Sequence, residues 1–183
     1  MRRIFLTLIT LIVITMTSCQ PTPQPAPASN WETQFTEQLP LLGHRNWIVI
    51  TDMAYPLQSA DGITTLYADE PYTEVLRKVK AHIDAAPHVF AHVYHDRELD
   101  FIAEADMPGV DSLRAEMAKI CGDEAQSVLH EELLEKMDAA SRLYNIVIIK
   151  TPLTMAYTTT FFELDCAYWN GEKQQHLMER MKE

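Results

Sequence analysis

The chain has 183 residues, 47% of them apolar and 22% charged, with a formal charge of −11, five Gly, ten Pro and three Cys. That composition supports one ordinary domain with its own core and excludes a chain disordered throughout. Three Cys exclude a disulfide scaffold, the lack of GxGxxG and GxxxxGK(S/T) excludes a phosphate loop, and the acidity argues against a nucleic-acid partner.

The first thirty residues do not read as fold. Arg2 and Arg3 precede an apolar run from Ile4 to Met16, followed by Thr17, Ser18 and Cys19. A basic start, a short apolar stretch and small residues describe a secretory signal peptide over residues 1–18. Thirteen residues, interrupted by Thr7, Thr10 and Thr15, are too few for a stable span, which needs about 20. Met16-Thr17-Ser18-Cys19 has the form of a lipobox, so Cys19 is the expected lipidation site. Acyl chains there anchor the protein, since each buried CH2 contributes about 0.8 kcal/mol. Gln20 is not an acid that retains a lipoprotein in the inner membrane, which favours the outer one. The expected address is thus an exported, membrane-anchored lipoprotein of the bacterial envelope. Removing Arg2 and Arg3 and no acid takes the charge to −13. Residues 19–30, with Pro21, Pro23, Pro25 and Pro27, read as an extended tether.

The domain is expected over residues 31–183. Trp31, Phe35 and Leu39 share a helical face that Pro40 ends. Trp47 to Thr51 is an apolar, β-branched run and predicts a buried strand. Asp52 to Thr65 reads as loop. Asp69-Glu70-Pro71 starts a helix whose apolar face is Val75, Leu76, Val79 and Ile83. His88 to His95 predicts a strand. Val110, Leu113 and Met117 mark a helix closed by Cys121-Gly122, and Leu129, Leu133, Met137 and Ala140 mark another. Asn145 to Lys150 and Tyr157 to Asp165 predict strands, and Leu177, Met178 and Met181 a tail helix. Strands that are apolar on both faces and alternate with helices predict one α/β layered domain with a mostly parallel sheet. Ligands bind such sheets at the carboxyl ends of the strands, so the loops after Thr51, after His95 and around Tyr157 are the places to look.

The most informative stretch runs from Gly43-His44 through the strand to Asp52 and Pro56. His44 and Asp52 would lie near opposite ends of one straight strand, about 20 Å apart. They can share a site only if the chain curls or a neighbouring subunit supplies one of them. Other histidines give weaker signals. His88 and His92 would be about 13 Å apart on one strand face, with His95 turned away, so no metal site is expected. Tyr94-His95-Asp96-Arg97 could line a pocket at a strand end. Cys121 and Cys166 could pair or remain buried thiols. Tyr168 and Trp169 could stack on a sugar ring or pack in a subunit contact.

Leu41-Leu42-Gly43-His44, Asp52 and Pro56, at this spacing, resemble the opening of the D-ribose pyranase / L-fucose mutarotase (RbsD/FucU) family. His130-Glu131-Glu132-Leu133-Leu134, the strand Ile146 to Lys150, and Tyr157 extend the resemblance to roughly Leu41–Cys166. It implies an RbsD-like fold, a monosaccharide partner, no cofactor, and a ring of subunits with sites between neighbours. The implied reaction interconverts anomers or ring forms, with His44 as acid/base and Asp52 orienting a hydroxyl. Tyr157 and Thr159 would contact the sugar, and His95 and Arg97, from the strand-end reading above, are added as candidate contacts. Three positions depart from the pattern. Asn46 stands where an acid is usual, Thr159 replaces an Asn, and Thr151 to Ala156 is too short for the usual helix. Two readings therefore stand: a saccharide isomerase, or a non-catalytic envelope lipoprotein binding sugar or protein with the same fold.

Overall fold

The computed structural model describes residues 30–182. The expected signal peptide, Cys19 and all of the Pro-rich tether except Asn30 lie outside them. The order of elements is helix α1 (Trp31–Gln38), strands β1 (Trp47–Thr51) and β2 (Ile63–Tyr67), helix α2 (Tyr72–Ala85), strand β3 (Val89–Asp96) and helix α3 (Val110–Cys121). Then come strand β4 (Gln126–Val128), helix α4 (His130–Ser141), strands β5 (Ile146–Lys150) and β6 (Thr160–Cys166), and helix α5 (Gly171–Arg180).

Each boundary has a local cause. Asn30 caps α1 by accepting the Thr33 amide at 2.8 Å. Pro71 precedes α2, whose Val75, Leu76, Val79 and Ile83 are all buried. Gly109 and Gly122, with φ of 95° and 79°, bracket α3 in backbone conformations that side chains disfavour. Glu104 completes its start by accepting the Asp111 amide.

The described strands form one six-stranded sheet in the order β2-β5-β1-β6-β3-β4. β1 lies parallel to β5, β5 to β2 and β3 to β4, whereas β6 runs antiparallel to both β1 and β3. Five strands thus run one way and β6 alone, among the described residues, runs against them. The sheet is mostly parallel, as the sequence predicts. β1 and β5 are central and buried on both faces, hence their continuous apolar runs.

Helices α1, α2 and α3 cover one face, over Ile48, Ile50, Val147, Ile149, Phe162 and Leu164. Helix α4 covers part of the other, over Trp47, Val49, Ile146, Ile148 and Phe161. None of the described helices is long and apolar enough to cross a membrane.

Three differences from the sequence reading have clear causes. β2 was hidden in an expected loop, because its Ile-Thr-Thr-Leu-Tyr is half exposed at the sheet edge. β4 has only three residues and none is buried. β6 begins at Thr160, not Tyr157, because Tyr157 has a φ of 56° and cannot continue a strand.

Gly62 fixes the approach of β2 to the rest of the sheet. A Cβ there would meet the Ser141 carbonyl at 2.8 Å and the Tyr144 carbonyl at 3.0 Å. The Gly62 carbonyl accepts the Ile146 amide at 2.8 Å. Gly62→Ala should therefore lower stability by roughly 1–3 kcal/mol through overpacking, read as a lower urea midpoint with an unchanged slope.

Candidate functional site

The loop after β1, the segment between β5 and β6 and the first residue of α4 border an open cleft of ≈ 560 Å³. Its walls include Asp52, Tyr55, His130, Met155, Tyr157 and Thr159. That volume is within the range of small-molecule sites, about 300–1,000 Å³.

Asp52 leaves β1 and turns the chain, its Oδ1 accepting the Ala54 amide at 2.7 Å. The Met53 amide donates to the Leu153 carbonyl at 2.7 Å, which ties the loop after β1 to the loop after β5. Lys150, ending β5, donates to the Tyr55 carbonyl. Tyr55 is buried, and burial raises the pKa of its phenol. On the opposite wall Tyr157 sits in the left-handed region. The Thr158 hydroxyl holds this turn by donating to the Met155 carbonyl at 2.9 Å. Thr159 is buried beside it.

His130 lines the cleft and is held by two carboxylates, Asp96 at the end of β3 and Glu98 in the turn just after it. Its backbone N–H donates to Glu98 Oε2 at 3.1 Å, which caps α4 at its first residue. Its Nδ1 donates to Asp96 Oδ1 at 2.9 Å. The Tyr157 ring meets the imidazole edge-on, with centroids 5.7 Å apart and planes at 89°. Because Nδ1 is taken by Asp96, the ring's other nitrogen, Nε2, is the one left for proton exchange.

Asp96 is fully buried, and its Oδ2 makes no complete hydrogen bond. Burial pushes its carboxyl up; the His130 hydrogen bond and charge, with the Thr159 amide, pull it back only in part. The His130 imidazole is raised, first by its hydrogen bond to Asp96, against a smaller effect of burial. The two titrate as a pair.

His44 is elsewhere. It precedes β1, so it lies at the opposite end of the sheet from Asp52. There its Nδ1 donates to Asp165 Oδ1 at 2.6 Å, and Arg45 Nε donates to its Nε2 at 3.1 Å. A guanidinium only donates, so Nε2 accepts and the ring proton is on Nδ1. His92 Nε2 approaches Asp165 Oδ2 at 3.5 Å. Burial works against the charge on Asp165, but the Cys166 amide, His44 and His92 together hold its carboxyl low. Asn46, where the family pattern has an acid, is a turn residue. It accepts the Gly43 amide at 2.7 Å and donates to the Asn145 carbonyl at 3.0 Å.

The sequence-derived site residues thus divide. Asp52, Tyr157 and Thr159 converge in the cleft; within one chain His44 does not join them. His95 and Arg97 do not line the cleft either. Alternation along β3 sends Tyr94 and Asp96 to the α4 side of the sheet and His95 to the α3 side. His95 faces a second cavity of ≈ 310 Å³ with Asp100, Arg114 and Cys121. Arg97 is exposed, its guanidinium 5.9 Å from the Phe101 ring centre. His88 is structural, its Nε2 donating to the Leu42 carbonyl at 3.1 Å. Among the described residues no three His, Cys, Asp or Glu side chains gather as a metal site, and Cys121 and Cys166 are both free. His130 and Asp96 were not singled out for chemistry by sequence. His130 opens the His-Glu-x-Leu-Leu segment and Asp96 ends β3, and only the fold pairs them.

Two solved structures share this fold. Bacillus subtilis RbsD, solved with D-ribose, superposes with a TM-score of 0.51 over 73% of this chain and 92% of its own, at 15% identity. The Streptococcus pneumoniae fucose mutarotase, solved with L-fucose, gives 0.50 over 75% and 94%, at 16% identity. The chain has the RbsD/fucose-mutarotase fold. No family model matches it, and no curated protein matches it by sequence.

The RbsD-like fold puts a testable pair at its cleft. Asp96 and His130 are both raised above their ordinary values of 3.8 and 6.5. The folded state therefore holds more protons than the unfolded state across that window. The contribution of the pair to stability is complete at low pH and is lost as pH rises through the folded values. The His130 midpoint, followed by NMR of its ring protons, should lie above 6.5. In Asp96→Asn it should fall, because burial persists without the carboxylate.

Proposed function

We propose that the cleft binds a monosaccharide and interconverts its anomers or ring forms. The observation that carries this reading is the Asp96–His130 pair set beneath Asp52 and Tyr157, in a fold shared with proteins solved with D-ribose and L-fucose. Ring opening needs a proton delivered to the ring oxygen and another removed from the anomeric hydroxyl. His130 Nε2 can do either, and Asp96 keeps the charge of the imidazolium close to neutralised. Asp52 accepts from sugar hydroxyls, and Tyr157 supplies a ring face and a hydroxyl. His44 serves this chemistry only if a neighbouring copy brings its β1 entry to the cleft. Its engagement with Asp165 and Arg45 inside its own chain favours, as the second reading, sugar binding without turnover.

Saturation-transfer NMR with D-ribose, L-fucose and related monosaccharides separates the two. Anomer or ring exchange should accelerate with the wild-type chain and drop about 10²–10⁴-fold in His130→Ala. Loss in His44→Ala as well would put that residue in a shared site. Shifts at Tyr157 and Thr159 without acceleration would establish the binding-only reading. No response to any sugar would overturn both.

The same proposal places the domain outside the cytoplasm on a lipid anchor at Cys19. Its support is the sequence Arg2-Arg3, the apolar run to Met16, and the lipobox. Cys19→Ser should move the protein from the membrane fraction to the soluble fraction and remove the acyl mass from the mature N-terminal peptide.

A further inference from the structure

Helix α5 is formed but has no packed face. Every residue from Ala167 to Lys182 is exposed. The bonds that hold it are local: Asn170 accepts the Lys173 amide, Trp169 Nε1 donates to Gln174, and Lys173 Nζ donates to the Tyr168 carbonyl. A helix of ten residues is marginal in water by itself, where about 12–15 are needed even in favourable sequences. A surface that packs on it would supply the missing stability.

The character of the helix narrows that surface. Lys173, Leu177 and Arg180 form one stripe at i, i+4 and i+7, beside His176, and Trp169 closes its start in a shallow groove. Met181, 71% exposed, extends the apolar part. The stripe is therefore basic and apolar together. Residues 30–167 hold 10 Lys and Arg against 23 Asp and Glu, whereas residues 168–183 hold three of each. A neutral arm with a basic stripe is attached to a strongly acidic body.

The body offers a matching patch at its β4 edge. Phe101 and Leu129, 75% and 43% exposed, sit on adjoining segments among Asp100, Glu131 and Glu132. The segments are joined by Ser127 Oγ donating to Asp100 at 2.7 Å and by the His130 amide on Glu98. β4 is one of the two edge strands of the described sheet, with backbone groups open to pairing. This patch lies at the carboxyl end of β3, whereas α5 leaves from the other end of the sheet. Four link residues, Ala167–Asn170, reach at most about 14 Å. The eight residues of β3 span about 26 Å. The helix adds about 15 Å, so only its last turn could approach its own patch, and Trp169 with the first turn cannot lie on it.

We infer that α5 is an arm that docks, through Trp169, Leu177, Met181 and the Lys173–Arg180 stripe, on the acidic β4 edge of a second copy of this chain. An anionic lipid surface fits less well, because the arm carries no net charge and the acidic body is repelled by it. The contact joins two unlike surfaces, donor on one copy and acceptor on the next.

Sedimentation equilibrium of the full chain tests this. The wild type should assemble, and more weakly at high salt. The pairs Leu177→Asp with Met181→Asp, and Phe101→Asp with Leu129→Asp, should each raise the dissociation constant about tenfold or more. All four residues are exposed, so the fold is retained. Lys173→Glu with Arg180→Glu should weaken assembly and recover when mixed with Glu131→Lys and Glu132→Lys. A monomeric wild type, or an assembly unchanged by the arm variants, would overturn the inference. So would flotation with phosphatidylglycerol vesicles that the arm variants abolish, since lipid would then be the occupant.

Discussion

Strand β6 is the constraint on which the rest of the molecule depends. It pairs with β1 through Trp47 to Ile50 and with β3 through Val89 to His95. Without it the described sheet would be two fragments, β2-β5-β1 and β3-β4. Because β6 runs against its neighbours, its start lies where theirs end. Register sets Thr160 between Ile50 and His95, so the residues just before it, Tyr157 to Thr159, fall between the ends of β1 and β3. The Tyr72 hydroxyl shares a 2.7 Å hydrogen bond with Thr160 Oγ1 in the core, which locks this register from the α2 side. One antiparallel strand thus closes a cleft that an all-parallel sheet would leave open.

The cleft floor is costly by itself. A carboxylate removed from water without full hydrogen bonding is disfavoured, and Asp96 keeps one oxygen incompletely satisfied. What offsets this is the imidazole on its other oxygen. The pair keeps a proton more readily than either group would alone in water, and it does so next to an open cavity. Buried carboxylates with no site to serve are uncommon, because a neutral residue of similar shape packs more cheaply. The turn just after β3 supplies Glu98, which caps α4 at His130. A helix start with no capping side chain of its own is fixed by the strand it faces, and the placement of His130 follows.

The parts of the fold legible in the sequence were those whose signal is local. β1 and β5 are apolar on both faces, and α2 and α3 carry clean helical faces with Pro or Gly at their ends. β2 and β4 were not legible, because edge strands need neither continuous apolar runs nor length. At the site, Asp52 and Tyr157 were readable as strand-end residues, and the cleft joins them with Thr159 as the topology predicts. The Asp96–His130 pair was not readable, since 34 residues and a whole helix separate its members. His95 and Asp96 differ in strand phase. A one-residue step on β3 exchanges the α3 side for the α4 side, and a strand with polar residues in both phases does not declare its register.

The separation of His44 from Asp52 is the remaining constraint, and it is a property of straight strands. β1 is buried over all five of its residues and pairs on both sides, so it cannot curl to bring its two ends together. Each end has instead found its own carboxylate partner: Asp165 for His44, and Asp96 for the histidine of α4. The molecule therefore carries two carboxylate–imidazole pairs at opposite poles of one sheet, one exposed and one buried beneath a cleft. Desolvation distinguishes them. At the exposed pole water screens the pair, and its histidine is held by Arg45 as a donor toward Asp165. At the buried pole screening is weak, so a change of proton on His130 is felt in full by Asp96 and by anything bound above it. Proton transfer to a neutral, polyhydroxylated ligand is best served by the second environment. For the exposed pole to contribute, it must first lose water, and a second copy packed against it is the means by which this sheet could do so.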